Sequence, residues 1–97
     1  MNIVDFSNWL LSNGTNKKVV SDIVSRLKRI NRELMNRKSH TTIDNEYSKD
    51  KCRTLLKSFD KAYTENNLLV DSDLPLDKPY LASYKYALNK YLQFLNQ

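Results

Sequence analysis

The fold is decided by residues 16–37, NKKVVSDIVSRLKRINRELMNR, a long stretch with one clear period. Its apolar residues recur every three or four positions, which is the spacing of one face of an α-helix. That face carries Val19, Val20, Ile23, Val24, Leu27, Ile30 and Leu34. Thr15 or Asn16 stands where a helix-capping side chain is favoured. We therefore predict a long amphipathic helix over about 16–37, lying along the core.

A first helix is predicted before it, over about 3–12. Asn2 can cap this helix, and Asn13-Gly14 ends it with the only glycine of the chain. Apolar residues occupy most of its circumference, so we expect the helix to be sandwiched within the core. Phe6 and Trp9 are its largest side chains.

Two more helices are predicted in the second half of the chain. After a polar connection, Ser48 would cap a third helix over about 49–65. A loop over 66–77 should cover one end of the core with its leucines. The fourth helix, over about 79–95, starts at Pro79, and proline is favoured in a first helical turn. The predicted fold is all-α, a compact four-helix bundle. Its expected core residues are Phe6, Trp9, Leu10, Ile23, Leu27, Ile30, Leu55, Phe59, Leu88 and Leu92.

The composition sets outer limits on the protein class. A length of 97 residues predicts one helical domain, 1–97, and one glycine with two prolines favours helices over hairpins. A single cysteine, Cys52, excludes an intrachain disulfide. The first residues lack the pattern of a signal peptide, and no apolar run approaches the roughly 20 residues of a membrane span. We expect a cytoplasmic protein without a membrane partner.

The positive charge of the chain is concentrated in one segment. The net charge is +5, but residues 17–38 hold eight basic and two acidic residues, a local charge of +6. The other 75 residues sum to −1. The eight basic residues are Lys17, Lys18, Arg26, Lys28, Arg29, Arg32, Arg37 and Lys38. Such localisation indicates a basic surface on the second helix.

The polar face of that helix is the main candidate site. It carries Lys18, Ser21, Ser25, Lys28, Arg29, Arg32 and Asn36. Long, positively charged side chains mixed with short hydroxyl and amide donors are the groups that bind nucleic-acid phosphates. The alternative interpretation is a solvent-exposed outer face without a partner. It stays open beside the first, because most charged helix faces have no partner.

A weaker candidate lies on the fourth helix. Tyr86 and Lys90 are predicted to point away from its apolar side, with Phe94 flanking them. They would supply a secondary contact to nucleic acid or protein. Single aromatics on a surface are common, so ordinary exposure is the favoured interpretation.

No pattern of an enzyme site is present. Cys52 falls on the apolar side of the predicted third helix, where a free cysteine is a small buried hydrophobic residue. His40 stands alone in a polar stretch without a second ligand at metal-binding spacing. The acidic loop Asp71, Asp73 and Asp77 lacks the glycine and terminal glutamate of a calcium loop. We expect no catalytic residues, no metal and no cofactor.

Three segments carry a family resemblance: residues 6–10 (FSNWL), 19–27 (VVSDIVSRL) and 84–95 (YKYALNKYLQFL). The first two are similar to the opening of a tyrosine recombinase core-binding domain, a SAM-like helical bundle, and the third resembles its last helix. The third also resembles helical modules that accompany nuclease domains. The resemblance implies a module that holds the DNA backbone while a separate catalytic domain does the chemistry.

Two functions remain open on the sequence. One is an integrase-like accessory module that binds double-stranded DNA, either as part of a longer protein or as a stand-alone relative from a mobile element. The other is a regulatory protein-interaction module whose basic face meets an acidic protein surface. The sequence leaves the partner's identity, sequence specificity and the oligomeric state undecided.

Overall fold

A computed structural model gives the fold and describes residues 1–37, 39–77 and 79–97. Within these residues there is no strand, and the all-α prediction is confirmed. Five helices take the place of the four predicted. They are α1 (Ile3–Ser12), α2 (Lys17–Asn36), α3 (Ile43–Asp50), α4 (Arg53–Lys57) and α5 (Tyr80–Leu95). The radius of gyration of 13.0 Å is that of a compact chain of this length.

Helix α2 is the centre of the molecule and lies where the sequence predicts. It packs mainly on α5 and also contacts α1 and α3. Leu27, Ile30 and Leu34 on its apolar face are fully buried, whereas Val19 at the edge of that face is exposed. The side chain of Asn16 accepts a hydrogen bond from the Val19 N–H at 2.9 Å, which identifies Asn16 as the cap.

Helix α1 also has the predicted bounds, but it lies on the surface of the bundle. Gly14 has a φ of +89°, and the Thr15 N–H donates to the Leu10 carbonyl at 3.0 Å. This is the closing turn that a glycine after a helix favours. The prediction of a sandwiched helix is wrong, because Val4 and Leu11 are exposed. Only one face of α1 is needed to cover the core.

The prediction of one helix over 49–65 is wrong. Helix α3 begins at Ile43, where the Thr42 hydroxyl accepts a hydrogen bond from the Asn45 N–H at 3.1 Å. Ser48, the predicted cap, lies inside α3. The chain then turns sharply, because Lys51 and Cys52 both adopt left-handed backbone angles with φ of 56° and 64°.

Two groups hold this turn in place. The Cys52 N–H donates to the Glu46 carbonyl, and the Cys52 side chain is fully buried. The Asp50 carboxylate accepts from the N–H of Arg53, and from the N–H and hydroxyl of Thr54 at 3.1 and 2.6 Å. These hydrogen bonds, that of the Thr54 hydroxyl foremost, lower the pKa of Asp50. Buried contacts and satisfied backbone groups therefore offset the cost of two left-handed residues.

After α4 the chain continues as turns and coil over residues 58–77. The buried Ser58 hydroxyl donates to the Thr54 carbonyl and accepts from the Leu68 N–H, both within 2.9 Å. Leu69 and Leu74 are buried and cover one end of the core, as predicted for this loop. The segment is thus anchored to the bundle by both polar and apolar contacts.

An aromatic cluster closes the other side of the core. Phe6 lies 5.2 Å from Tyr91 between ring centroids and 5.5 Å from Phe94. Trp9 packs 5.8 Å from Phe94 and is partly buried, so it lies at the edge of the core and not within it. Phe94 belongs to this cluster and is partly buried against the core. Of the ten predicted core residues, the nine other than Trp9 are buried. None of the helices in the described ranges is long and apolar enough to cross a membrane.

Candidate nucleic-acid interface

One exposed stripe of α2 brings together most of the predicted site. Successive residues of a helix are separated by about 100°, so residues three, four and seven apart share a face. All members of the stripe are exposed, and they are Lys18, Ser21, Ser25, Lys28, Arg32 and Asn36. This stripe lies opposite the face buried against α5. We refer to these six residues as the basic stripe.

The stripe is long enough to follow a nucleic-acid backbone. At 1.5 Å of rise per residue, Lys18 and Arg32 are separated by about 21 Å along the axis, and Lys28 and Arg32 by about 6 Å. Each DNA strand carries one phosphate per roughly 3.4 Å of duplex axis. The cations can therefore meet several phosphates, while Ser21 and Ser25 between them allow the backbone to approach closely.

The cations of the stripe take no part in the ion pairs of the described residues. No acidic side chain among the described residues lies within ion-pair distance of Lys18, Lys28 or Arg32. Elsewhere, by contrast, Lys49 pairs with Glu46 at 3.3 Å and Lys61 pairs with Asp77 at 3.0 Å. Other exposed cations, Arg53 and Lys57 among them, are likewise without an ion pair in the part of the chain that the structure describes, and what distinguishes the stripe is that three such cations lie on one face of a single long helix.

Arg29 is predicted to belong to the same polar face, but its side chain makes hydrogen bonds within the protein. Its guanidinium donates to the Tyr84 hydroxyl at 3.2 Å and to the Asp73 carbonyl at 3.1 Å. The side chain is half-buried at the junction of α2, α5 and the preceding loop. Two protein acceptors therefore hold Arg29, which sets it apart from the exposed cations.

Arg37 is likewise held within the protein. Its guanidinium donates twice to the Glu33 carboxylate, at 2.7 and 3.2 Å, and lies 3.6 Å from the Asp73 carboxylate. The hydrogen bonds from Arg37 lower the pKa of the buried Glu33 against the opposing effect of burial. Lys38, the next basic residue in the sequence, lies outside the described residues.

The N-terminus of α2 differs in charge from those of α1 and α3. Helix α1 carries Asp5 in its first turn and α3 carries Asp44 and Glu46, which suits the positive end of a helix dipole. The first turn of α2 has no acidic residue and instead exposes Lys17 and Lys18. This reversal of the usual charge was readable in the sequence, and it extends the positive surface to Lys17.

Tyr86 and Lys90 form a separate surface. The Tyr86 side chain is 50% exposed, and the Lys90 Nζ lies 5.7 Å from its ring centroid, within cation–π range. The two residues lie on α5, whereas the basic stripe lies on α2.

The residues considered for catalysis have other roles. Cys52 is fully buried, and burial raises the pKa of its thiol to about 12, so it is held as a thiol that solvent does not reach. His40 is exposed, with its ring Nδ1 3.1 Å from the Met35 carbonyl. Across 1–37, 39–77 and 79–97, no group of three or more His, Cys, Asp or Glu side chains is arranged to hold a metal ion.

Comparison with known proteins adds no relative to this picture. No protein-family model matches the chain. No curated protein and no solved structure is similar enough to it to count as a match.

Proposed function

We propose that this chain is a non-catalytic, DNA-backbone-binding accessory module that acts in the cytoplasm. Its basic stripe contacts the phosphates of double-stranded DNA through Lys18, Lys28 and Arg32, with Ser21 and Ser25 as close donors. One observation carries this proposal: three exposed cations without acidic partners among the described residues share one face of the longest helix.

The first turn of α2 supports the same function. Exposed Lys17 and Lys18 stand at the positive end of the helix dipole, where an unoccupied helix is destabilised by additional positive charge. A bound phosphate reverses this effect because it is attracted by the dipole and by both lysines. Sequences that break a local rule of this kind do so most often at functional sites.

The contact is expected to be largely independent of DNA sequence. The two lysines, one arginine and two serines of the stripe reach phosphates, and its one amide, Asn36, stands at the far end, so paired bases along the stripe meet no set of donors and acceptors that reads their edges. A few phosphate contacts give non-specific affinity that is micromolar or weaker at physiological salt. The module therefore serves to hold DNA for another domain or protein.

The resemblance to tyrosine recombinase core-binding domains is part of this proposal. An all-α module that holds the DNA backbone is what that resemblance implies. We infer a SAM-like, integrase-like type, encoded by a mobile element, with the chemistry done by a catalytic domain of the same or another chain.

A paired charge-reversal experiment tests the proposal. The double variant Lys28→Glu with Arg32→Glu removes two neighbouring cations of the stripe. Its matched control, Arg53→Glu with Lys57→Glu, reverses one lysine and one arginine at the same spacing on the exposed side of α4. Both change the net charge equally. Fluorescence anisotropy with a short labelled duplex at low salt should show binding abolished in the first variant and only modestly weakened in the control. Equal loss in both variants would contradict a localised site.

A second function, contact with an acidic protein surface, has one observation in its favour. Met35 is 50% exposed and lies on the same side of α2 as Lys28, seven residues earlier. An apolar side chain beside cations suits a protein interface better than a phosphate backbone. If the parent protein binds no duplex at low salt, this function replaces the first. A search for acidic partners would then use the same two double variants.

A further inference from the structure

A cavity opens where the basic stripe ends. Its volume is about 480 Å³, within the usual range of roughly 300–1,000 Å³ for small-molecule sites. Asn36, the last residue of α2 and of the stripe, forms part of one wall together with Arg37. Residues 66–68 and 70–71 form the facing wall. A strand lying along the stripe would thus lead directly to this opening.

The walls present hydrogen-bonding groups beside apolar ones. The side chain of Asn67 is committed to the protein, since it donates to the Tyr63 carbonyl at 2.7 Å and accepts from the Leu69 N–H at 2.8 Å. Asn36, Ser39 and Asn66 also line the cavity, and all three residues are exposed. An amide offers both donors and an acceptor. Leu68 and Val70 supply the apolar part of the lining.

The two walls are joined by a buried carboxylate. Glu33, 8% exposed, accepts from Arg37 on one wall and, at 3.4 Å, from the N–H of Asp73 in the loop that continues the other. The Asp73 carboxylate lies 3.6 Å from Arg37. The cavity is therefore formed without a ligand, which lowers the entropic cost of filling it.

We propose that this cavity binds one unpaired nucleobase with an exocyclic amino group, adenine in the first place, from a strand whose phosphates lie on the basic stripe. This inference rests on the proposed function. The amide of an asparagine matches the N6 and N7 edge of adenine. The Asp71 carboxylate and the carbonyl end of the α2 dipole add acceptors for an amino group, which thymine lacks, while the Arg37 guanidinium in the same wall is held by Glu33. The apolar side chains cover the base.

The test compares three labelled duplexes of one sequence: fully paired, with one bulged adenine, and with one bulged thymine. The bulged adenine should bind roughly fivefold or more tightly than the paired duplex, in line with the discrimination of a good amide–base pair. The bulged thymine should bind like the paired duplex. Asn36→Ala combined with Asn66→Gly should remove the gain, and glycine keeps the left-handed backbone of Asn66, φ 60°. Asn89→Ala, at an exposed asparagine of α5, is the matched control and should keep it.

The outcomes separate this inference from the proposed function. A paired duplex that binds, with no gain from the bulged adenine, overturns the base cavity and leaves the backbone module. Equal gains from both bulges show a response to flexible DNA and also overturn the cavity. If the variant Asn36→Ala with Asn66→Gly still binds the bulged adenine more tightly than the paired duplex, the cavity is likewise overturned. If none of the three duplexes binds, both proposals fall.

Discussion

The Arg29 guanidinium donates a hydrogen bond to the Tyr84 hydroxyl at 3.2 Å and so links α2 to α5 between residues 55 positions apart. A second hydrogen bond, to the Asp73 carbonyl at 3.1 Å, links both helices to the loop before α5. Arg29 therefore holds three parts of the fold together, although the sequence pattern groups it with the exposed cations of its helix.

Replacing Arg29 should affect stability more than binding. Arg29→Ala leaves two acceptors without their donor, and we expect a loss of about 1–3 kcal/mol in the free energy of unfolding. Arg32→Ala, one turn away and exposed, should change stability by less than about 0.5 kcal/mol. Urea denaturation measures both. A smaller loss for Arg29→Ala than for Arg32→Ala would contradict the structural role of Arg29.

The centre of the core should tolerate truncation poorly. Leu27, on α2, is fully buried in the core. Leu27→Ala should lower the free energy of unfolding by roughly 2–5 kcal/mol. This is a large share of the stability of a small domain. Val19→Ala, on the same helix but exposed, is the comparison and should cost far less. Thermal unfolding followed by circular dichroism separates the two variants.

The thiol of Cys52 should react slowly in the folded protein. It is fully buried and its pKa is raised to about 12, so little thiolate forms at neutral pH. Alkylation should proceed only through unfolding and should be faster in Leu27→Ala than in the parent. Cys52→Ala should leave DNA binding unchanged. Rapid labelling of the native parent together with loss of binding would show that Cys52 has a functional role.

Acid should loosen the loop that carries Asp73. The pKa of Glu33 is lowered in the fold by its hydrogen bonds from Arg37, so its stabilising effect is complete above the ordinary pKa of 4.5. It is lost as the pH falls below that value and through the folded pKa. Glu33→Gln should flatten the dependence of the unfolding midpoint on pH over this range. An unchanged pH profile in Glu33→Gln would assign the acid sensitivity to other carboxylates, Asp50 first.

Three helices could be predicted from the sequence because local signals and burial agree there. The period of α2, the closing glycine of α1 and Pro79 before α5 each place a boundary within a residue or two. The region 43–65 behaves differently. Thr42 with acidic residues after it was a readable helix start, but the break at Lys51 and Cys52 has no glycine to mark it. That break depends on burial of Cys52 and on hydrogen bonds to the Glu46 carbonyl and the Asp50 carboxylate, which form only once the chain has turned.

The candidate site was predictable to a similar extent. Helical spacing alone places Lys18, Lys28 and Arg32 on one exposed face, because that placement follows from the period of α2. Spacing does not show that Arg29, one residue after Lys28, turns toward Tyr84. That contact and the cavity beside Asn36 arise only when the loop before α5 packs against α2.

The salt dependence of duplex binding tests the central claim most directly. With three or four phosphates contacted by Lys17, Lys18, Lys28 and Arg32, the slope of log K against log salt should be roughly −2.7 to −3.6. The double variant Lys28→Glu with Arg32→Glu should bind too weakly to measure, while Arg53→Glu with Lys57→Glu keeps the parent slope. A parent that binds no duplex at low salt, or binds with a slope near zero, would contradict the account.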